Sequence, residues 1–206
     1  IKHSLFFILN TKKFVNFYMQ KFKFFNNNIL VIILSKLFNF ILSNKINYWK
    51  KNMNIYSIKK INKFDKKYEL FWKSYIDECN NKMTLSRNSK WQNWRFQNLI
   101  KEKKAFILVF KKNKKIVGYS CCKIIKKGPY KVAKLIDIIT LNNSKDVFIK
   151  LIKTNILEAE KKQCIYFEYR NFSKENFELV SQLKPFDISL KSNSFFYKKN
   201  DRKIKN

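Results

Sequence analysis

The chain has one histidine, His3, and its four cysteines, Cys79, Cys121, Cys122 and Cys164, form no C-x-x-C pair. A zinc or iron–sulfur site therefore lacks ligands, and no metal is expected. A nucleophilic cysteine is disfavoured for the same reason, because no suitable histidine is there to activate it. Adjacent Cys121 and Cys122 point to opposite faces of any strand they occupy, which suits reduced, half-buried thiols in a cytoplasmic protein better than a disulfide. Acids are missing from residues 1 to 52, which hold nine lysines and no Asp or Glu, so all 14 acids lie beyond them. This break in charge places a domain boundary near Met53. Long apolar runs are missing too. Ile29 to Leu42 is about 14 residues with Lys36 and Asn39 inside, short of the roughly 20 that a membrane span needs. It reads as an amphipathic or buried helix, with membrane contact by 29–42 as the lesser alternative. No small-residue cleavage site follows it, which argues against a secretory signal. Glycine and proline number two each. With alanine also scarce and Lys, Asn, Ile and Phe over-used, the composition is that of an AT-rich gene.

What remains is a chain of 206 residues, 46% apolar, with a formal charge of +31. That is enough apolar content to fill a core. The charge would ordinarily point to phosphates, but the lysines are spread along the whole chain and read as a solvated surface as readily as a binding patch.

From Met53 onward the elements can be placed in order. Asn54–Ile61 alternates like a strand. Asp65 is placed to cap a helix on which Tyr68, Phe71, Trp72, Tyr75, Ile76 and Cys79 share one face. Asn88 or Ser89 caps a second helix, where Trp91, Trp94 and Asn98 line up beside Arg95. Trp91 and Trp94 are expected to wedge this helix against the sheet, and Trp94→Ala to cost about 3–5 kcal/mol. The stretch from Lys104 to Ile125 reads as two strands turning at Asn113-Lys114. Gly128-Pro129 ends the second. Lys131–Leu141 makes a third strand, apolar on both faces apart from Asp137 and therefore central. A helix from Ser144 to about Lys162, a strand Gln163–Tyr169, a helix from Ser173 to about Leu183 and a strand Ser194–Lys199 complete the order. Three consecutive strands followed by alternating helix and strand indicate an α+β sheet with helices on its faces.

Arg87-Asn88, Asn93-Trp94-Arg95-Phe96, the hairpin segment Ile116-Val117-Gly118-Tyr119 and Ile136-Asp137-Ile138 resemble GNAT-type N-acyltransferases, in particular a subgroup associated with cell-surface polysaccharide biosynthesis. The resemblance covers roughly residues 53 to 200. It implies a GNAT-like mixed, mostly antiparallel sheet with helices on both faces. It also implies transfer of an acyl group from acetyl-CoA or another acyl-CoA to a small-molecule amine such as an amino sugar. The backbone of Ile138, Ile139 and Thr140 would hold the pantetheine arm, and Asn142, Asn143, Ser144 and Lys145, at a helix N-terminus, the pyrophosphate. The family's glycine-rich loop is replaced here by Leu141-Asn142-Asn143-Ser144-Lys145-Asp146, in which Asp146 opposes an anion. Its late tyrosine is replaced by Ser181, leaving Tyr169 or a water as general acid. Asp137 and Glu168 are the carboxylates available as base or positioning group. For Asp137 the alternative is a structural ion pair with Arg95 or Arg170, and for Glu168 a solvated strand residue.

Two other classes compete with the enzyme: a GNAT-shaped binding module without catalysis, and a basic nucleic-acid or anionic-surface binder. Aromatics at core spacing and the lack of an RNP-like, helix-turn-helix or Arg-rich signature count against nucleic acid. Residues 1–52 are expected to be the tail and linker of a missing upstream domain. Ser4–Asn10 echoes Asn193–Lys199 and would be that domain's closing strand. On this view a chain starting at Met53 stays folded. The first residue is Ile1 and not Met, which suggests a fragment or a misplaced start.

Overall fold

In a computed structural model of the chain, residues 2–21, 31–36, 48–49, 57–79, 85–170 and 173–190 are described. Seven strands form one sheet: β1 (Lys2–Ile8), β2 (Ile58–Ile61), β3 (Ala105–Lys112), β4 (Lys115–Lys127), β5 (Tyr130–Thr140), β6 (Tyr166–Arg170) and β7 (Phe186–Leu190). Their spatial order is β2-β3-β4-β5-β6-β1-β7. Only β5 and β6 run parallel; the other neighbours are antiparallel. The helices are α1 (Thr11–Lys21), α2 (residues 31–36), α3 (Lys66–Glu78), α4 (Ser89–Lys101), α5 (Lys145–Lys161) and α6 (Lys174–Ser181).

Local chemistry accounts for most boundaries. Asp65 Oδ1 accepts from the amides of Lys67 and Tyr68, Asn88 Oδ1 from Trp91, and Ser173 Oγ from Asn176, so α3, α4 and α6 begin at side chains that satisfy their free N–H groups. The β3–β4 turn puts Asn113 and Lys114 at φ 49° and 65°, the paired left-handed angles of a two-residue hairpin whose twist matches its strands. Gly128, at φ 57°, closes the β4–β5 hairpin. β6 begins at Tyr166, later than the expected Gln163, because Gln163 takes φ 58° in leaving α5.

Helices cover both sheet faces. On one, Phe148, Leu151, Ile152 and Ile156 of α5 pack over Phe106, Leu108, Leu135 and Phe167. On the other, Tyr68, Phe71 and Trp72 of α3 and Phe96 of α4 pack over Ile107, Val109, Tyr119 and Cys121. A smaller cluster joins Phe14 and Phe17 of α1 to Phe6, Val132 and Tyr166. Cys121 and Cys122 are free and fully buried, and burial raises both thiol pKa values.

Several expectations need correction. Trp91 and Trp94 do not wedge α4 against the sheet: they are 47% and 71% exposed. Gln92 and Phe96 face inward instead, because the turn of the helix that meets the sheet also has to supply a partner for the buried Asp137. The 3–5 kcal/mol expected for Trp94→Ala falls with that placement. Ile76 is 40% exposed, because the apolar stripe of α3 is covered only through Tyr68, Phe71 and Trp72. The expected strand Ser194–Lys199 lies outside the described residues, and β7, which pattern reading missed, is the edge strand beside β1.

Residues 2–8, which the charge break at Met53 set outside the main unit, form the strand between β6 and β7. Ser4 stands opposite both Arg170 and Ile188. Leu5, Phe6, Phe7 and Ile8 are all buried. Met53 itself lies outside the described residues. Of the apolar run Ile29–Leu42 only 31–36 is described; Val31 and Ser35 are buried, while Ile32 and Ile33 are exposed. No helix among the described residues is long and apolar enough to cross a membrane.

Candidate active site

β5 and β6 pair only at Ala133 with Phe167 and Lys134 with Glu168. Beyond that point β5 runs on to Thr140 beside β4 alone. An irregularity between Cys121 and Cys122 leaves Ile136 as an extra residue on β5, where a bulge twists the strand. The two parallel strands therefore part, and the backbone of β5 faces an open cleft. Ile138, Ile139, Thr140, Asn143 and Lys145 form one side of it; Ser173, Glu175, Asn176 and Leu179 form the other, with Tyr75 of α3 and Phe148 of α5 completing the lining.

The N-terminus of α5 sits at this cleft because β4 lets it come close. A Cβ on Gly118 would lie 2.8 Å from Val147 Cγ1, so only glycine at the centre of Ile116-Val117-Gly118-Tyr119 allows the first turn of α5 to rest there. Asn155 continues the attachment with Nδ2 donating to Ser120 Oγ and Leu151 O at 2.7 Å. The loop before α5 has no glycine, yet it turns as a glycine loop would. Asn142 and Asn143 adopt φ 53° and 44°, and asparagine is the side-chain-bearing residue best suited to that region.

Of the residues expected to hold an acyl-CoA, Ile138, Ile139, Thr140, Asn143 and Lys145 line the cleft. Asn142 and Ser144 do not. The Asn142 amide donates to Glu78 Oε2 at 2.7 Å, and Ser144 caps α5. The mouth is electrostatically mixed: Lys145 pairs with Glu175 at 3.4 Å, and Asp146 with Lys150 at 2.7 Å. A phosphate arriving here finds a helix N-terminus and Lys145, but it must displace Glu175 from Lys145 and tolerate Asp146 in the first turn. Exposed pairs of this kind are worth only about 0–1 kcal/mol each, so the exchange is affordable for a polyanion. The residues present fit a phosphate-bearing acyl donor.

The three expected catalytic groups are not brought together, and none of them lines the cleft. Asp137 turns to the α3–α4 face. There Arg87 Nε (2.9 Å), Tyr119 Oη (2.6 Å) and Gln92 Nε2 (3.2 Å) all donate to its Oδ2. It is the expected kind of buried ion pair with a different partner: Arg95 instead lies over the Phe96 ring at 4.8 Å, and Arg170 pairs with Glu168. Burial, reinforced by the Asp137 charge, raises the Tyr119 phenol. Tyr68 Oη donates to Arg87 O, which fixes the chain entering α4.

Glu168 is not a solvated strand residue: it is buried between Lys134 and Arg170, each at 2.9 Å, whose charges compensate it. Burial alone would raise this carboxyl, but hydrogen bonds and charge from those two cations outweigh it and hold it below its ordinary value. A depressed carboxyl stabilises the fold above its unfolded pKa of about 4.3, and that contribution is lost as pH falls through the lower folded value. Glu168→Gln should therefore cost about 1–3 kcal/mol near pH 7 and progressively less below about pH 4. Urea midpoints of both proteins across that range measure it; a gap that fails to narrow in acid would contradict the pairing. Tyr169 lies in the core against Phe148, and burial raises its phenol pKa.

The group that sequence reasoning left in the core stripe is Tyr75. It stacks on Trp72 at 5.6 Å and reaches the cleft from α3. Burial, followed by Cys79, raises its pKa, so the phenol is protonated at neutral pH. Nothing in the sequence pattern of the stripe distinguishes Tyr75 from the residues that meet the core. Among the described residues no group of His, Cys, Asp and Glu could hold a metal ion.

No protein-family model and no curated sequence matches the chain. Solved structures match its fold. Glucosamine-6-phosphate N-acetyltransferase from Arabidopsis thaliana is 17% identical, with a TM-score of 0.53, covering 68% of this chain and 97% of that one. An aminoglycoside acetyltransferase from an uncultured soil metagenomic sample, in complex with sisomicin, is 14% identical, with a TM-score of 0.52 and coverage of 68% and 93%. A predicted acetyltransferase from Clostridium acetobutylicum, with acetyl-CoA, is 11% identical, with a TM-score of 0.51 and coverage of 68% and 94%. At these identities the likeness is one of fold: the chain has the GNAT-like α+β architecture.

Proposed function

We propose that the protein is an N-acyltransferase that moves an acyl group from an acyl-CoA to a small-molecule amine. The observation that carries this reading is the parting of β5 from β6, which leaves strand backbone, a helix N-terminus and Lys145 facing one cleft. The N–H and C=O groups of Ile138 to Thr140 that point away from β4 receive the amide-rich pantetheine arm, and an N–H aimed at the thioester oxygen stabilises charge as it develops there. Holding amine and thioester together in the cleft supplies the rest by proximity. The amine nitrogen attacks the carbonyl carbon, the C–S bond breaks, and the departing thiolate takes a proton from Tyr75. The attacking nitrogen loses its extra proton to water, so no covalent enzyme intermediate forms. An amino sugar of cell-surface polysaccharide biosynthesis is the acceptor that the resemblance in Arg87–Phe96 and Ile116–Tyr119 suggests, and the cytoplasm is where acyl-CoA would be met.

Calorimetric titration with acetyl-CoA and longer acyl-CoAs tests the donor. Saturable binding competed by free coenzyme A is expected, weakened about tenfold in Lys145→Ala, the loss of one phosphate contact. Tyr75→Phe should leave that binding unchanged and lower kcat by about 10²-fold, the contribution of a general acid. Binding without turnover would favour the second reading, a GNAT-shaped module that binds and does not transfer. The dispersal of Asp137, Glu168 and Tyr169 away from the cleft is what supports it. Loss of acyl-CoA binding altogether, with tight and salt-sensitive oligonucleotide binding, would turn the function toward nucleic acid.

A further inference from the structure

The outer face of α4 has no role in the fold or the cleft. Its inner face is filled by Gln92 and Phe96, yet the outer face carries Trp91 and Trp94, a helical turn apart and 47% and 71% exposed. Their rings pack on each other with centroids 4.8 Å apart at 33°. Leu85, just ahead of the helix, is 79% exposed. Three large apolar side chains so close in sequence on a surface mark a place where something else binds.

The charge around them says what. Residues 85–101 contain Arg87, Lys90, Arg95 and Lys101 and no acid. Arg87 is committed to Asp137, while Lys90, Arg95 and Lys101 have no carboxylate partner among the described residues. The acids beside them are engaged elsewhere: Glu102, next to Lys101, pairs with Lys104, and Glu69 accepts the Ser89 amide, a contact that lowers its pKa. An indole has an apolar body and one polar N–H, so it is at home where water meets hydrocarbon, and cations flanking it meet lipid phosphates. A nucleobase or sugar would need an open ring face, and the two indoles spend much of theirs on each other. We propose that the outer face of α4 docks onto an anionic lipid surface, with Trp91, Trp94 and Leu85 entering the headgroup layer and Lys90, Arg95 and Lys101 pairing with phosphates.

Co-sedimentation with phosphatidylcholine vesicles, with and without phosphatidylglycerol, tests this on the full chain, comparing wild type with W91A/W94A. Both tryptophans are exposed, so the double variant should melt within a few degrees of wild type. Binding should require phosphatidylglycerol, weaken with salt and fall about tenfold or more in the variant, since losing even 50–60 Å² of apolar burial costs about a factor of ten. Tryptophan emission should shift to the blue on vesicles, and this shift should disappear with the pair. Three results would overturn the proposal: no vesicle binding by wild type; equal binding by the variant, which would reduce it to diffuse attraction of a basic protein; or oligonucleotide binding that depends on the pair while vesicle binding does not.

Discussion

Asp137→Ala should destabilise the protein by about 3–5 kcal/mol, the range for breaking a buried charge pair by removing one partner. Three donors on three elements converge on one oxygen: Arg87 from the segment before α4, Gln92 from α4, and Tyr119 from β4. Without it a half-buried guanidinium, a buried amide and a buried phenol lose their common acceptor, and Gln92 Oε1 already lacks a hydrogen-bond partner among the described residues. The bulge at Ile136 and the seating of α4 depend on the same contact. Urea unfolding measures the change. A loss below about 1 kcal/mol would show that water replaces the carboxylate and that the network is not what fixes α4.

Removing residues 1–10 should abolish cooperative folding. β1 is the shared neighbour of β6 and β7, and its Leu5, Phe6, Phe7 and Ile8 are 1–7% exposed. Burying such side chains is worth about 1.5–3 kcal/mol each, so four of them amount to roughly 6–12 kcal/mol, comparable with the roughly 5–15 kcal/mol that stabilises a whole domain. A calorimetric scan of the shortened chain should show no sharp transition. Melting within a few degrees of the full chain would mean that another stretch fills the slot, and Ser194–Lys199, similar in sequence to β1, would be the first to substitute.

What was legible in the sequence was local. Asn113-Lys114, Gly128, the cap Asp65, the cap at Asn88 or Ser89, the helix starts at Ser144 and Ser173, and the doubly apolar central strand all act within a few residues of where they stand; of the two cap candidates the structure uses Asn88. Ser4–Asn10 read as a strand, but the place of β1 in this sheet was not legible, because its partners Arg170 and Ile188 lie more than a hundred and fifty residues away and no pattern within Lys2–Ile8 names them. α4 misled for a different reason. Its most hydrophobic stripe, Trp91 and Trp94, competes with a stripe containing Gln92, and periodicity scores apolarity while the sheet required an amide for Asp137. The strand backbone of Ile138–Thr140 and Lys145 were expected from the family resemblance and not from any local pattern. Tyr75 was not legible, since a tyrosine within an apolar stripe looks the same whether it meets core or cleft.

Backbone amide shifts of the ¹⁵N-labelled protein, titrated with acetyl-CoA, test the account most directly. The cleft reading predicts saturable shifts at Ile138, Ile139 and Thr140, at Asn143 to Asp146, and at Ser173 to Asn176, with the Asn142 amide moving as Glu78 releases it. Free coenzyme A should reproduce those at the helix N-terminus. No shifts at these residues at millimolar acetyl-CoA, or shifts confined to exposed lysine-rich surface, would contradict it.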